Sequence, residues 1–196
     1  MLVLLLWLTG TAPSTGNGLA TQRVSVADDG SEANGNSRAP SISANGRFII
    51  FTSYANNLVA NDSTGPDTFI YNRETRGLTR IPDVTHPQIS GNGRFLVFSS
   101  KKDNLVPGDT NGLSDIFRLE WETGQIQRVS QAYDGAETNG GSGDATVSAD
   151  GCQIAFTSEA TNLVTTQSGT AAYSNPVSSG GVAWQVYAYD CTDNTI

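Results

Sequence analysis

The chain has little of what most catalytic and metal chemistry is built from. Its 196 residues hold one histidine, one methionine and two cysteines. Two cysteines and one histidine cannot by themselves make a four-ligand zinc site. Basic residues are also few, 11 Lys and Arg against 19 Asp and Glu, for a net charge of −8. A nucleic-acid backbone calls for a basic stripe, and none exists here, so nucleic acid is not an expected partner. The acidic balance suits solubility, cations or cationic surfaces and says nothing finer. Phosphate loops and dinucleotide fingerprints are missing. Charged residues make up only 15%, and helical periodicity is absent from the middle of the chain. What is plentiful is glycine, 21 residues, with 37% apolar residues. That balance predicts many short strands joined by tight turns, in one medium domain or two small ones.

Residues Leu2 to Leu8 are almost wholly apolar and are followed by a small, polar run from Thr9 to Gly18. Seven apolar residues are too few to span a bilayer, so no stable membrane span is expected. The pattern reads as a secretory leader over residues 1–20, with Gly18-Leu19-Ala20 offering small residues at −3 and −1 and cleavage after Ala20. The usual basic n-region is missing, since nothing before Arg23 is positive; a start upstream of Met1 and a buried apolar strand are the alternatives. The leader predicts a periplasmic or secreted protein.

One strand–turn–strand pattern recurs three times. Pro40-Ser41-Ile42-Ser43-Ala44-Asn45-Gly46-Arg47-Phe48-Ile49-Ile50-Phe51-Thr52-Ser53 returns as Pro87–Ser100 and as Ala145–Ser158, each followed by Asn-Leu-Val (Asn57, Asn104 and Asn162). Asn45-Gly46, Asn92-Gly93 and Asp150-Gly151 tolerate the positive φ of a tight hairpin turn. In the strand after each turn both faces are apolar: Ile49/Phe51 against Phe48/Ile50, and Leu96/Phe98 against Phe95/Val97. A sheet apolar on both faces must be covered on both faces. The third copy has Gln153 and Ala155 on one face and is expected to be less completely covered there. A further strand begins at Asp67, at Asp115 and at Gln185, and a fourth at Leu78-Thr79-Arg80-Ile81 and Gln127-Arg128-Val129-Ser130. The latter matches Gln22-Arg23-Val24-Ser25, read as a short strand, at an offset of 105 residues. The linkers Ala27–Ser37 and Ala132–Ser142 match at the same offset. Such periods mark a repeat architecture, here all-β, with units of about 21–77, 78–124 and 125–196.

The Pro-x-Ile-Ser-x-Asn/Asp-Gly-Arg-x-x-x-Phe-x-Ser core, the Asn-Leu-Val after it, and Asp-x-Asn-Gly-x-x-Asp-Ile-Phe at Asp109–Phe117 resemble bacterial TolB-like, WD-repeat-like β-propellers of exported proteins. The resemblance covers residues 21–196. It implies four-stranded antiparallel blades set radially around a channel, in proteins that mostly bind other envelope components. About three blades are present, whereas propellers use roughly four to eight. The expected fold is therefore a partial or open propeller, read as a fragment of a longer one, with an open arc closed by Gln22–Ser25 as the alternative.

Candidate chemistry is sparse. Cys152 opens a strand and Cys191 closes its antiparallel neighbour, which sets them opposite each other at disulfide spacing, and an exported chain can keep such a bond. Asp109, Asn111 and Asp115 place oxygen-bearing side chains at positions 1, 3 and 7 of a Gly-containing loop, as calcium prefers, with a degenerate copy at Asp62 and Asp67. It is not an EF-hand, and Asp and Asn also serve turns through their own side chains. His86 aligns with Ala39 and Ala145, so nothing in the repeat needs it. Arg47 and Arg94, and Arg23, Arg80 and Arg128, recur at equivalent positions, which favours scaffold roles. Trp121, Trp184, Tyr133, Tyr173 and Tyr187 offer material for a sugar- or peptide-binding face, or for a core. The expectation is a non-catalytic binding or scaffold module for a protein or envelope component, with contacts through its linkers and the Thr165–Ala183 insertion. A piece of a propeller-type hydrolase and a calcium-stabilised structural repeat are the alternatives.

Overall fold

The computed structural model describes residues 21–60, 62, 65–82, 84–164 and 183–192. The leader and most of the Thr165–Ala183 insertion, with Tyr173, lie outside that range. The described chain is all-β and folds as three successive antiparallel sheets. The first contains β1 (Ser37–Ile42), β2 (Phe48–Ser53), β3 (Asp67–Asn72) and β4 (Leu78–Ile81) in that order. The second repeats it with β5 (Thr85–Ile89), β6 (Phe95–Ser100), β7 (Asp115–Glu120) and β8 (Gln125–Arg128). The third has three strands among the described residues: β9 (Ser142–Val147), β10 (Gln153–Ser158) and β11 (Gln185–Asp190). The repeat unit 78–124 begins with the last strand of the first sheet, so the sequence period and the sheets run one strand out of phase. Among the described residues no helix is long and apolar enough to cross a membrane.

The recurrent Ser-x-Asn/Asp-Gly closes each hairpin by the same bonds. The Phe48 N–H donates to Ser43 Oγ (3.0 Å), Ser43 Oγ donates to Asn45 Oδ1 (2.7 Å), and the Gly46 N–H donates to the Ser43 carbonyl (2.8 Å). Ser90 and Ser148 do likewise for Phe95 and Gln153. Glycine is obligatory twice over at the later turns. Gly93 and Gly151 have φ of 74° and 81°. A Cβ there would lie 2.6 Å and 2.2 Å from the rings of Phe48 and Phe95 in the preceding sheet. The backbone of each turn thus rests on the aromatic residue of the blade before it.

Packing follows the alternation of the strands. One face of the first sheet (Phe48, Ile50, Ile70) meets Ile89, Leu96, Phe98 and Phe117 of the second. The opposite face of the second (Val97, Ile116) meets Ala145, Ile154 and Phe156 of the third. The middle sheet is therefore covered on both faces, as its double apolar pattern requires. An aromatic pair recurs across strands two and three of every sheet: Phe51–Phe69, Phe98–Phe117 and Phe156–Tyr187, with ring centroids 5.7, 5.7 and 5.8 Å apart. On the third sheet's outer face Gln153 is exposed and Ala155 half-buried.

Two local readings change, and the expected disulfide is present. Gln22–Ser25 forms no strand; only an isolated bridge joins Val26 to Glu32. A fourth-strand sequence needs a third strand beside it, and none lies there among the described residues. His86 sits at a bulge with φ 49°, matched by Ala39 at 51° and Asp144 at 47°. Its structural counterpart in the third copy is thus Asp144 rather than Ala145, and the bulge, not the imidazole, is what repeats. Cys152 and Cys191 are disulfide-bonded with Cα atoms 5.0 Å apart, next to the Gln153–Asp190 pair that ends the β10–β11 ladder.

Candidate functional site

In a meander of this kind the strand two-to-three connections and the crossings from one sheet to the next emerge at the same end. Backbone bonds tie them together: Asp28 N–H to Leu58 O (3.1 Å), Tyr54 N–H to Asn36 O (2.9 Å) and Tyr133 N–H to Asn162 O (3.1 Å). Asparagine side chains reinforce the ties, Asn34 with Asn56 and Asn139 with Thr161. This loop end gathers most of the residues singled out from the sequence. It also exposes Tyr54, Tyr133, Val164 and Trp184.

Asp109, Asn111 and Asp115 do converge, around a cation supplied by the chain. The Arg128 guanidinium, on β8, places Nη1 3.3 Å from Asp109 Oδ1, 3.5 Å from Glu137 Oε1 and 4.0 Å from Asp115 Oδ2. Asp115 is fully buried and accepts from Ser130 Oγ (2.6 Å) and Thr138 Oγ1 (3.2 Å). Asn111 turns its amide nitrogen toward the Thr138 carbonyl (3.3 Å) and its oxygen to the Leu113 N–H (2.8 Å). Glu137 accepts from the backbone N–H groups of Thr110 and Asn111. Burial pushes the Asp115 carboxyl up, against the pull of Ser130 and Arg128. Burial and then the charge of Asp115 push Asp109 up as well. Glu137 is held below its ordinary value, first by the Thr110 N–H.

The degenerate copy is organised the same way. Arg80, on β4, sets Nε 2.8 Å from Asp67 Oδ2 and 3.2 Å from Asp62 Oδ1. Arg23, the third member of the series, pairs with Glu32, the counterpart of Glu137, in the open. The acidic positions meet not an empty cage but a recurrent arginine from the fourth strand, with the guanidinium between the carboxylates and the Asn111 oxygen turned away. A calcium ion would fit only with Arg128 displaced. Sequence reading missed Arg128, Glu137 and Thr138 as members of this cluster. The usable signal was the joint recurrence of Arg80/Arg128 and Glu32/Glu137. Among the described residues no group of three or more His, Cys, Asp or Glu side chains is arranged to hold a metal.

Arg47 and Arg94 lie over the rings of Phe48 and Phe95 and pair with Glu74 and Glu120. Trp121 donates to the Gly93 carbonyl (2.9 Å) and meets Phe48 edge-on. Tyr187 is in the third sheet's aromatic pair and donates to the Ala160 carbonyl (2.9 Å). Away from the loops, the third sheet's outer face carries a shallow depression of about 470 Å³ lined by Thr146, Gln153, Ala155 and Ala188, among others.

No protein-family model matches the chain, and no curated protein sequence matches it. Solved structures do resemble it. TolB from Acinetobacter baumannii is 21% identical, over 83% of this chain and 31% of that one, with a TM-score of 0.47. The β-propeller domain of the Trilobed protease from Pyrococcus furiosus is 15% identical, over 63% and 34%, with a TM-score of 0.45. An oligogalacturonate lyase in complex with manganese is 15% identical, over 69% and 34%, with a TM-score of 0.41. The chain spans about a third of the length of each. These are likenesses of fold, and the proteins that share them include both enzymes and TolB. By its own sheet order and repeat, the described chain is a run of propeller-type blades, similar in fold to TolB.

Proposed function

We propose that the chain is part of an exported, non-catalytic propeller module that binds a protein or cell-envelope component through its loop end. The observation that carries this is the clustering of Tyr54, Tyr133, Val164 and Trp184, exposed by 44, 52, 62 and 52%, at that one end. Loops on a rigid frame are where such folds place recognition, and exposed aromatic side chains are the usual anchors. The acidic and basic groups of the same end are engaged with one another as structural pairs, so they frame a surface rather than poise a reaction. The leader sequence and the Cys152–Cys191 bond support an oxidising, exported setting.

The test is a pull-down from envelope and secreted fractions of the source cells, comparing wild type with a Tyr54→Ser/Tyr133→Ser/Trp184→Ser variant. A saturable partner that the triple variant loses supports the reading. A partner held equally by both, or none at all, overturns it.

A calcium-stabilised reading of the same loops rests on the excess of charge at Arg128, where one guanidinium faces Asp109, Asp115 and Glu137. On that reading calcium raises the melting temperature and Asp109→Ala abolishes the rise. A melt indifferent to calcium and to chelator removes it.

A further inference from the structure

Asparagine is a chemically labile residue, and most so before glycine, whose missing side chain leaves the following main-chain nitrogen unshielded. Five such pairs lie among the described residues: Asn34-Gly35, Asn45-Gly46, Asn92-Gly93, Asn111-Gly112 and Asn139-Gly140. Loss of the side-chain amide by cyclisation asks three things of the fold. The asparagine must lie over its own glycine, the glycine N–H must be free to give up its proton, and the ring needs space to close.

Four of the pairs fail one requirement or another. Asn34 and Asn139 are turned onto a neighbouring loop. Asn34 accepts from the Asn56 N–H (3.0 Å) and donates to Asn56 Oδ1 (2.6 Å). Asn139 accepts from the Thr161 N–H (2.8 Å) and donates to Thr161 Oγ1 (2.7 Å). Gly35 and Gly140 are pressed against the same loops, where a Cβ would lie 2.5 Å from Ala55 N and 2.6 Å from Ala160 N. At the hairpins Asn45 and Asn92 do fold back over glycine, accepting from the Arg47 and Arg94 N–H groups (both 2.9 Å). There the glycine nitrogens are committed: Gly46 donates to the Ser43 carbonyl (2.8 Å) and Gly93 to the Ser90 carbonyl (2.9 Å).

Asn111 meets all three requirements. Its Oδ1 accepts from the Leu113 N–H (2.8 Å), which closes the side chain over the intervening Gly112. Glu137 holds the main chain before it, accepting from the Asn111 N–H (3.1 Å). The Gly112 N–H has no hydrogen-bond partner among the described residues. Gly112 is exposed, and a Cβ on it would meet no atom within 4 Å. The amide nitrogen of Asn111 is held only loosely, 3.3 Å from the Thr138 carbonyl and 3.5 Å from Thr138 Oγ1 and Asp115 Oδ2.

We infer that Asn111 is a self-modifying site, selected by the native fold for conversion to aspartate or isoaspartate. Solvent hydroxide removes the Gly112 amide proton, and the freed nitrogen attacks Asn111 Cγ. The Leu113 N–H already sits on the oxygen that becomes the oxyanion, as a donor fixed before reaction. The new Cγ–N bond closes a cyclic imide and the Cγ–Nδ2 bond breaks. The amide nitrogen leaves as ammonia with a proton from water, which regenerates hydroxide. Water then opens the imide at either carbonyl and leaves a carboxylate where the amide stood. No oxidant or reductant takes part.

The product alters the loop end in a definite way. Asp115 Oδ2 and the Thr138 carbonyl, which faced an amide N–H, then face another oxygen. Arg128 is left to serve a fourth carboxylate beside Asp109, Asp115 and Glu137. The loop therefore gains a negative charge and loosens, whatever partner the loop end takes.

Peptide mapping of the full chain, aged in mildly alkaline buffer, tests this by the mass change of amide to acid. Asn111 should convert ahead of the other four by about tenfold or more, the factor that one hydrogen bond broken before reaction adds to a barrier. In urea, where the fold is gone, all of the pairs should convert at comparable rates. Asn111→Asp, which carries the charge of the product, should melt below wild type, and ageing should shift wild type in the same direction. Conversion of Asn111 no faster than that of Asn45 or Asn139 in the native chain overturns the inference. So does a lead that survives in urea, or an Asn111→Asp variant that melts with wild type.

Discussion

The second and third sheets share a strand–turn–strand sequence yet end in different surroundings. In the second, Leu96, Val97 and Phe98 are all buried, because a sheet lies against either face. In the third, Ile154 and Phe156 are buried on the inner face, while Gln153 and Ala155 meet solvent on the outer one. The hairpin itself is unchanged, with the same serine, Asn/Asp and glycine contacts in both. Hairpin formation is thus written into a few local residues, whereas coverage by a neighbour is written separately, into the alternate positions of the strand that follows. The third sheet, which has three strands among the described residues, carries a covalent tie between Cys152 and Cys191. The second sheet relies on Arg128, buried with Asp109 and Asp115.

Exchanging these supports would sharpen the contrast. The largest effect is expected from Arg128→Ala, which strands two buried carboxylates and should cost about 3–5 kcal/mol in chemical denaturation. Arg23→Ala removes the exposed counterpart of the same pair and should cost less than about 1 kcal/mol. Equal costs would mean that burial of the cluster does not set its worth. Next comes the staple. Its cysteines are separated by 39 residues, and a Cys152→Ser/Cys191→Ser variant should lose about 2–4 kcal/mol. Hydrogen exchange should place the loosening in β10 and β11 and leave β6 and β7 protected. Uniform loosening would show that the three sheets unfold as one unit and that the contrast between them is only geometric.

Much of the fold was legible because its signals are local. Asn45-Gly46, Asn92-Gly93 and Asp150-Gly151 fix turns within four residues, and two-residue alternation fixes which side chains face a neighbour. The weaker apolarity of Gln153 and Ala155 likewise announced the open face. Gln22–Ser25 misled for the converse reason. Its sequence is that of β8, but an outer strand exists only beside a third strand, and locally similar residues cannot supply one. The loop cluster was legible only in part, because its members lie far apart along the chain. Asp109, Asn111 and Asp115 lie within seven residues and invite a reading as ligands of one ion. The cation they meet comes from Arg128, on the next strand of the hairpin, and Glu137 comes from the crossing beyond it. Spacing along the chain could not show that pairing; only the antiparallel register brings Arg128 opposite Phe117, two residues from Asp115.

The smallest expected effect is also the most specific to that cluster, because it depends on the sign of a pH dependence. Burial raises the carboxyl pKa of Asp115 and of Asp109 above the ordinary 3.8, and Arg128 opposes both shifts. A carboxyl that binds its proton more tightly folded than unfolded makes stability rise as pH falls through its folded pKa; the gain is complete below 3.8. Glu137, held below its ordinary 4.5, works the other way, contributing stability above that value that is lost as pH falls through its folded pKa. Removing the guanidinium with Arg128→Met takes away the pull that holds the two aspartates down, so their folded pKa values climb further above 3.8. It also weakens the pull on Glu137, so that carboxylate opposes the change less. The variant's deficit in melting temperature against wild type should therefore narrow as pH falls from 7 toward 3.8, as the stranded carboxylates take up protons. Arg23→Met, whose partner is exposed, should show a deficit that stays flat over the same range. Parallel pH profiles for wild type and Arg128→Met would mean that the guanidinium holds the loop by its hydrogen bond to the Gly108 carbonyl rather than by its charge.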